Sequence, residues 1–414
     1  MSGFPIAARG MSRSEWTLLV LLIASIFINY IDRSNLSIAA PLLEKELSLS
    51  PAQVGSLLSS FFWTYALLQL FGMAGWLADR FPVGLVFTAG FLIWSLATIA
   101  TGLLSGFAAI YTARLLLGAG ESLAYPCYSR LFATYLPQHH RGRANALLDA
   151  GSKLGPAVGT FLGGLLLGRL GWRWFFIMLG ICSLAWIGPW LWYSLRLPVS
   201  SLAVPQTAQP VAHMLRLRSA WGTFLGHFCG NYFWFFLLTW VPSYLVHERG
   251  FSLTKMTEVV SVALAAVAIT TVSAGWISDR LIARGGSPTV VRKSVVVSGL
   301  AFSSIIMPVA FVTGAAVSIA LLLLACMAFG AYTSNHWAIT QTLAGPSMAG
   351  RWTGLQNGIG NLSGIIAPSL AGIIVERSGS SKPAFVISAC IAVAGAAIWG
   401  IVVGPVKEIS WRET

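Results

Sequence analysis

The chain has 414 residues, of which 56% are hydrophobic and 9% charged, and a formal net charge of +13. Ordinary soluble domains carry about a quarter charged residues, so this composition excludes water as the main solvent. The basic excess must then be read by where it falls along the chain, and a nucleic-acid partner is not implied.

Apolar runs of about 20 residues, enough to cross a bilayer, recur along the whole length. Twelve spans are predicted, at 16–41, 52–77, 83–105, 107–135, 142–168, 172–196, 219–246, 255–281, 290–313, 315–343, 350–376 and 382–405. All should be helical, because backbone amides in lipid must be satisfied within the segment and the runs are too continuously apolar for barrel strands. The first is too long for a cleaved leader and contains Asp32 and Arg33, so it is expected to be retained.

Span 2 closes on Gly75-Trp76-Leu77-Ala78-Asp79-Arg80, and span 8 closes on Gly275-Trp276-Ile277-Ser278-Asp279-Arg280, 200 residues later. One hexamer at the same place in both halves marks a duplicated architecture. Its glycine is expected to permit close helix approach, while Asp79, Arg80, Asp279 and Arg280 pair with neighbouring helix ends at a gate. Between spans 6 and 7, residues 197–218 hold Pro198, Pro205 and Pro210 among Ser, Ala and Gln, a linker composition. The expected domains are therefore an N-terminal six-helix bundle over 1–196, a cytoplasmic linker over 197–218 and a C-terminal six-helix bundle over 219–414. Paired bundles of this kind hold cargo near the midplane and rock against each other.

With the N-terminus inside, one side collects Arg9, Arg13, Arg80, Arg130, Arg141, Arg143, Arg196, Arg216, Arg218, Arg280, Arg284, Arg292, Lys293, Arg351, Lys407 and Arg412, while the other holds Lys45, Arg169, Arg173, Arg249, Lys255, Arg377 and Lys382. That asymmetry predicts cytoplasmic termini. Short loops favour a bacterial inner membrane. Cys127, Cys182, Cys229, Cys326 and Cys390 lie in spans without metal-ligand spacing and read as small buried apolar residues. The sequons at Asn35 and Asn361 fall within spans, beyond the reach of glycosylation. No metal cluster, nucleophile triad or phosphate loop stands out, so neither an enzyme nor a cofactor is expected.

A charge at the centre of a membrane helix costs roughly 2.5–3.5 kcal/mol on insertion scales. Asp32, Arg33, Arg114, Glu121, Asp149 and Lys153 nevertheless lie well inside spans, three acids against three bases. Asp149 and Lys153, four apart with the acid first, suit an intrahelical pair, though Lys153 near the midplane could also meet an anion. Arg114 and Glu121 are two turns apart on one face of span 4, about 10.5 Å along the axis, so their long side chains are expected to pair reversibly, Arg114 being freed when Glu121 takes a proton. Asp32 and Arg33 are adjacent and diverge by about 100°, so each needs another partner. A guanidinium can grip a carboxylate through two parallel hydrogen bonds.

The hexamer followed by Gly84 resembles the signature of the major facilitator superfamily, although Leu85 stands where a basic residue is usual. Further residues resemble its anion:cation symporter family, which includes bacterial sugar-acid permeases, sialin and the vesicular glutamate transporters. They are Asn29 to Leu36, Trp63-Thr64-Tyr65-Ala66, Arg114 with Gly118 and Glu121, Trp234 to Pro242, and Gly360-Asn361-Leu362. The resemblance implies an all-α major facilitator fold and proton-coupled symport of a small organic anion, a sugar acid or related carboxylate. Asp32, Glu121 and Arg114 would serve proton coupling and Arg33 would hold the carboxylate. Tyr30, Tyr65, Ser152, His227, Ser334, His336, Trp337 and Asn361 would line the substrate site, joined by Lys153 on the strength of its depth in span 5, with Gln341 and Asn357 as further candidates. His227 and His336 fall where residue type varies within the family.

The coupling ion is expected to be a proton, with sodium as the alternative, and the chain is expected to work as a monomer. Gly151, Gly155-Pro156 and Gly159 in span 5 also resemble a drug-antiporter pattern, which leaves export open; the simpler reading is helix contact. A membrane sensor without transport is the remote alternative. The aromatic run of span 7, from Tyr232 to Trp240, is expected to face lipid or neighbouring helices, with one or two rings at most on a cavity.

Overall fold

The computed structural model describes residues 11–136, 138–197 and 211–410, and side chains throughout these except at 79, 133, 138–143, 145–146, 149, 153, 211–212, 346–347 and 349–350. Most of the expected linker lies outside the described residues. Among those described, every regular element is a helix. Span 1 is Arg13–Leu47, and span 2 is Pro51–Leu70 continued by Met73–Arg80. Span 3 is Val83–Leu103, and span 4 is Phe107–Ser122 with Ala124–Tyr135. Spans 5 and 6 form Gln138–Ser194, divided at Gly171. Span 7 is Arg218–Thr239 with Val241–His247, span 8 Leu253–Ala283, and span 9 Pro288–Ser303 with Ile306–Val309. Spans 10 and 11 form Ala315–Ser378, divided at Gly345, and span 12 is Lys382–Ala397 with Ile398–Val402.

The twelve expected spans are therefore present. Eight helical stretches among the described residues are long and apolar enough to cross a membrane, Ala150–Ser194 among them. Spans 2, 4 and 7 are each interrupted, at Phe71-Gly72, Leu123 and Trp240. The starts of spans 1 and 2 are set locally: Ser12 with Glu15, and Ser50 with Gln53, complete capping boxes that satisfy otherwise orphaned amides.

Gly171 (φ 73°, ψ 168°) and Gly345 (φ 61°, ψ 177°) turn the chain between paired spans in a conformation that only glycine adopts cheaply. At Gly171 a Cβ would meet nothing within 4 Å, so the constraint there is purely backbone. Gly171→Ala should lower stability by about 1–3 kcal/mol, read from thermal unfolding in detergent; an unchanged midpoint would refute the assignment.

Spans 3 and 6 are locked by aromatic packing, with Phe91 stacked on Trp186 at 4.2 Å and Trp186 on Trp190 at 5.4 Å. The rings of span 7 face neighbouring helices: Tyr232, Phe233, Trp234, Phe235, Phe236 and Trp240 are all buried, and Trp234 stacks on Phe329 at 5.9 Å. Of the cysteines expected to be buried, Cys127, Cys229 and Cys326 are so. Cys182 and Cys390 are exposed, because a membrane helix presents apolar surface to lipid as readily as to a core.

Residues 11 and 410 lie on one face, here the terminal face. At the opposite, far face, the halves are stitched together. Glu376 of span 11 accepts from Ser50 Oγ at 2.6 Å and from the Ala52 amide at 2.9 Å, and His247 lies 3.6 Å from Glu44. Deeper in, Ser369 donates to Ser59 at 2.8 Å and Gly55 abuts Gly372. The cross-half contacts run down spans 2 and 11 as far as Gln69–Asn357 and Leu70–Gly358. Below that level Phe71, Met73 and Trp76 are exposed. The protein is thus closed at the far face.

Candidate functional site

Glycines place the site's backbone. A Cβ at Gly151, Gly155 or Gly159 would come within 2.9 Å of Ile26, Phe27 or Ile31, so span 5 lies directly on the segment of span 1 that carries Tyr30 to Arg33. This accounts for the antiporter-like pattern as helix contact. Likewise Gly118 leaves room for the Phe61 carbonyl and Thr64, holding span 4 against span 2, where Thr64 donates to the Leu115 carbonyl at 2.6 Å.

The buried charges converge between spans 1, 2 and 4. Arg33 Nε donates to the Glu121 carboxylate at 2.8 Å, with both side chains withdrawn from solvent. Rings surround the same guanidinium: Tyr65 at 4.4 Å, Tyr30 at 4.7 Å and Phe61 at 5.1 Å. Cation–π contact and a charge-assisted bond therefore act on one cation. The expected pairing of Glu121 with Arg114 is not what forms. Because Asp32 and Arg33 diverge around span 1, Arg33 is aimed at span 4 and takes the carboxylate first. Arg114 lies with its guanidinium 5.7 Å from the Phe61 ring, and its buried Nε has no hydrogen-bond partner among the described residues.

Asp32 is buried, and neither carboxylate oxygen is hydrogen-bonded among the described residues; Glu121 and Arg114 are its electrostatic neighbours. Asn29, one turn before Arg33, approaches Glu121 without completing a hydrogen bond. Such groups are expensive to bury unsatisfied, which marks the cluster as built for something other than stability.

Other expected lining residues divide into groups. Tyr30 and Tyr65 belong to the Arg33 cluster, and Tyr30 shares a hydroxyl contact with Tyr125 at 3.2 Å. Ser152 is buried on span 5. Asn361 donates to the Asn357 carbonyl at 2.8 Å, and Asn357 donates across the halves to Gln69 at 3.2 Å. His227 and His336 stack on each other at 5.0 Å, with Trp337 tilted 4.7 Å from both. Ser334 is drawn elsewhere: it accepts from Asn335 at 2.8 Å and packs beside Gly275 of span 8. Gln341 is exposed. The side chains of Asp149 and Lys153 lie outside the described residues.

The repeated hexamer behaves differently from expectation at its glycines. A Cβ at Gly75 would meet nothing within 4 Å, and at Gly275 the first neighbour is Ser334 Cβ at 3.7 Å, so neither marks a tight helix contact. Parting of the halves at this level removes the surface that Gly75 could meet. Asp279 is clasped by Arg292 at 3.2 Å and Arg280 lies 5.0 Å from the Trp276 ring, while Arg80 is exposed. The side chain of Asp79 is outside the described residues.

Asn29, Phe61, Gln69 and Tyr125 belong to the site but were not among the expected residues. Asn29 and Gln69 carried a usable signal, each an amide one turn from an expected site residue, Arg33 and Tyr65, in an apolar run. Phe61 and Tyr125 carried none.

A model of the Major Facilitator Superfamily matches residues 22–368. The chain is 32% identical over 387 residues to the probable sulfoacetate transporter of Cupriavidus necator, covering 89% of each. It is 28% identical over 433 residues to the D-galactonate transporter of Escherichia coli O6:H1, covering 98% of this chain and 99% of that one. With the hexuronate transporter of Bacillus subtilis it shares 29% over 395 residues, or 92% and 93% of the two chains. Among solved structures, a bacterial homologue of the human lysosomal transporter Spinster in an inward-facing, occupied conformation superposes with a TM-score of 0.81 at 18% identity, over 95% of this chain and 97% of that one.

Proposed function

We propose that this chain, which belongs to the Major Facilitator Superfamily, carries a small organic anion, a sugar acid or related carboxylate, in symport with protons by alternating access. It is a transporter and not an enzyme, and its relatives named for galactonate, hexuronate and sulfoacetate support an organic anion as cargo. The observation that carries the mechanism is the Arg33–Glu121 contact. Arg33 can hold either Glu121 or a cargo carboxylate. A proton on Glu121 removes the competing charge and frees the guanidinium, whose aromatic surround of Tyr30, Phe61 and Tyr65 keeps it in place. Asp32, buried and without a hydrogen-bond partner among the described residues, is the second proton carrier. Arg114 steadies this pair of acids once they are ionised, a supporting role in place of the direct exchange with Glu121 expected from their shared face.

The basic loops support cytoplasmic termini in a bacterial inner membrane, which makes the far face periplasmic and the conformation inward-facing. A monomer contains the whole site. Uptake of galactonate or a similar acid into proteoliposomes should rise with an inward proton gradient and be indifferent to replacing sodium with choline at constant pH. Uptake that ignores the proton gradient but stops without sodium would reverse the coupling assignment.

A further inference from the structure

The contacts that join the halves at the far face do not respond alike to pH. The Glu376 bonds to span 2, the Ser59–Ser369 bond and the Gly55–Gly372 packing rest on a carboxylate, hydroxyls and backbone. Groups of these kinds keep their charge between about pH 5.5 and 8. His247 differs, because an imidazole titrates within that range. It ends span 7 of the second half and faces Glu44 of span 1 in the first half, with Nε2 3.6 Å from the carboxylate.

The other ring nitrogen is also engaged. Nδ1 lies 3.1 Å from both the carbonyl and the hydroxyl of Ser243, one turn back on the same helix. A neutral ring carries one hydrogen and can donate it either to Glu44 or to the Ser243 carbonyl. The imidazolium carries two, donates to both, and sets a positive charge against the carboxylate. Protonation therefore strengthens a bond between the halves, and its loss as pH rises weakens it. A cleft of about 470 Å³ beside Pro41, Leu49, Val246 and Leu253 opens on the pair. The His247 and Glu44 side chains are 44% and 24% exposed, so solution on the far side sets their protonation. Neighbouring charges do not switch the contact. Lys45 of span 1 lines the same cleft and is a fixed cation over this range. On span 7, Glu248 accepts from the Ser381 amide at 2.6 Å, while Arg249 donates to the Tyr244 hydroxyl at 2.5 Å and to the Val309 carbonyl. On span 8, Lys255 and Glu258 pair with each other at 3.4 Å and line a separate hollow.

We infer that His247 and Glu44 form a proton-operated latch, which holds the halves shut at the far face while the imidazole is protonated and lets them part once it is neutral. Glu44 is twelve residues beyond Asp32, about 18 Å along the helix, so this proton site is distinct from the interior acids. Acid on the far side detains the empty carrier in its closed form and slows its return. The latch needs no particular cargo or coupling ion, so its failure leaves the symport reading standing. The test is the reactivity of Ser59→Cys toward a membrane-impermeant thiol reagent on the far side, in the full chain with its native cysteines replaced. Reading the ratio between a latch variant and this parent at each pH cancels the titration of the thiol and of the interior acids. Glu44→Gln should raise reactivity about two- to fivefold at about pH 5.5, the scale of an exposed ion pair, and leave it unchanged at pH 8. His247→Arg, a cation that never switches off, should lower reactivity by a similar factor at pH 8 and change nothing at pH 5.5. A Glu44→Gln ratio that stays flat across this range, or His247→Arg reactivity equal to the parent's at pH 8, overturns the latch.

Discussion

Arg33→Ala should abolish uptake and destabilise the protein, and the two losses should be separable. In the wild type the guanidinium is bonded to Glu121 at 2.8 Å, and both groups are buried. Truncating one partner of a buried charge pair costs about 2–5 kcal/mol at a binding site, which for a cargo carboxylate means a fall of roughly 30-fold to several thousand-fold in affinity. Stability should drop by about 3–5 kcal/mol, because Glu121 is left as an uncompensated buried charge. Adding Glu121→Gln removes that charge, so the double variant should recover most of the thermal stability without recovering uptake. Thermal unfolding in detergent and proteoliposome uptake read the two quantities separately. Near-normal uptake by Arg33→Ala would end the proposed carboxylate role, and a double variant no more stable than the single one would mean that Glu121 does not depend on Arg33.

Closure at the far face makes the second large prediction. A Cβ at Gly55 would lie 3.0 Å from Gly372 Cα and overlap the Pro368 carbonyl, which are backbone groups that cannot step aside. Gly55→Val should therefore push span 2 off span 11 at a cost of about 1–3 kcal/mol. An equilibrium between closed and open far faces would shift about 5- to 150-fold by the same energy. Ser59, only 1% exposed and bonded to Ser369, reports the change. In a background whose native cysteines are replaced, Ser59→Cys should resist a membrane-impermeant thiol reagent added on the far side and become reactive once Gly55→Val is introduced, with uptake falling in parallel. Equal reactivity in both backgrounds would show that this glycine contact does not hold the face shut.

Much of the architecture was written in local pattern. The length and apolarity of the runs dictate helices in lipid whatever their packing, and the doubled hexamer discloses the two halves. What the pattern lacks is the rotation of each helix about its axis. Residues Arg114 and Glu121 share a face of span 4 by arithmetic alone, yet the partner of Glu121 depends on how span 1 is turned, and the glycine ladder of span 5 sets that turn. Ser334 shows the same dependence: the turn of its helix sets it beside Gly275 of span 8. The hexamer glycines fail for a different one, since their contacts depend on which face of the carrier happens to be shut. His227 and His336 were legible as individual candidates, but their stacking joins helices a hundred residues apart and leaves no trace in spacing.

Between their ends, spans 7, 10 and 11 carry no Asp, Glu, Lys or Arg, and the four described charges buried in the first half, Asp32, Arg33, Arg114 and Glu121, sum to zero when the acids are ionised. Membrane voltage does work of about 2.3 kcal/mol per elementary charge per 100 mV. The empty carrier, reorienting, thus presents the field with almost nothing to pull on. Under the proposed symport, only the loaded form would move current, in proportion to the difference between the protons taken aboard and the valence of their passenger.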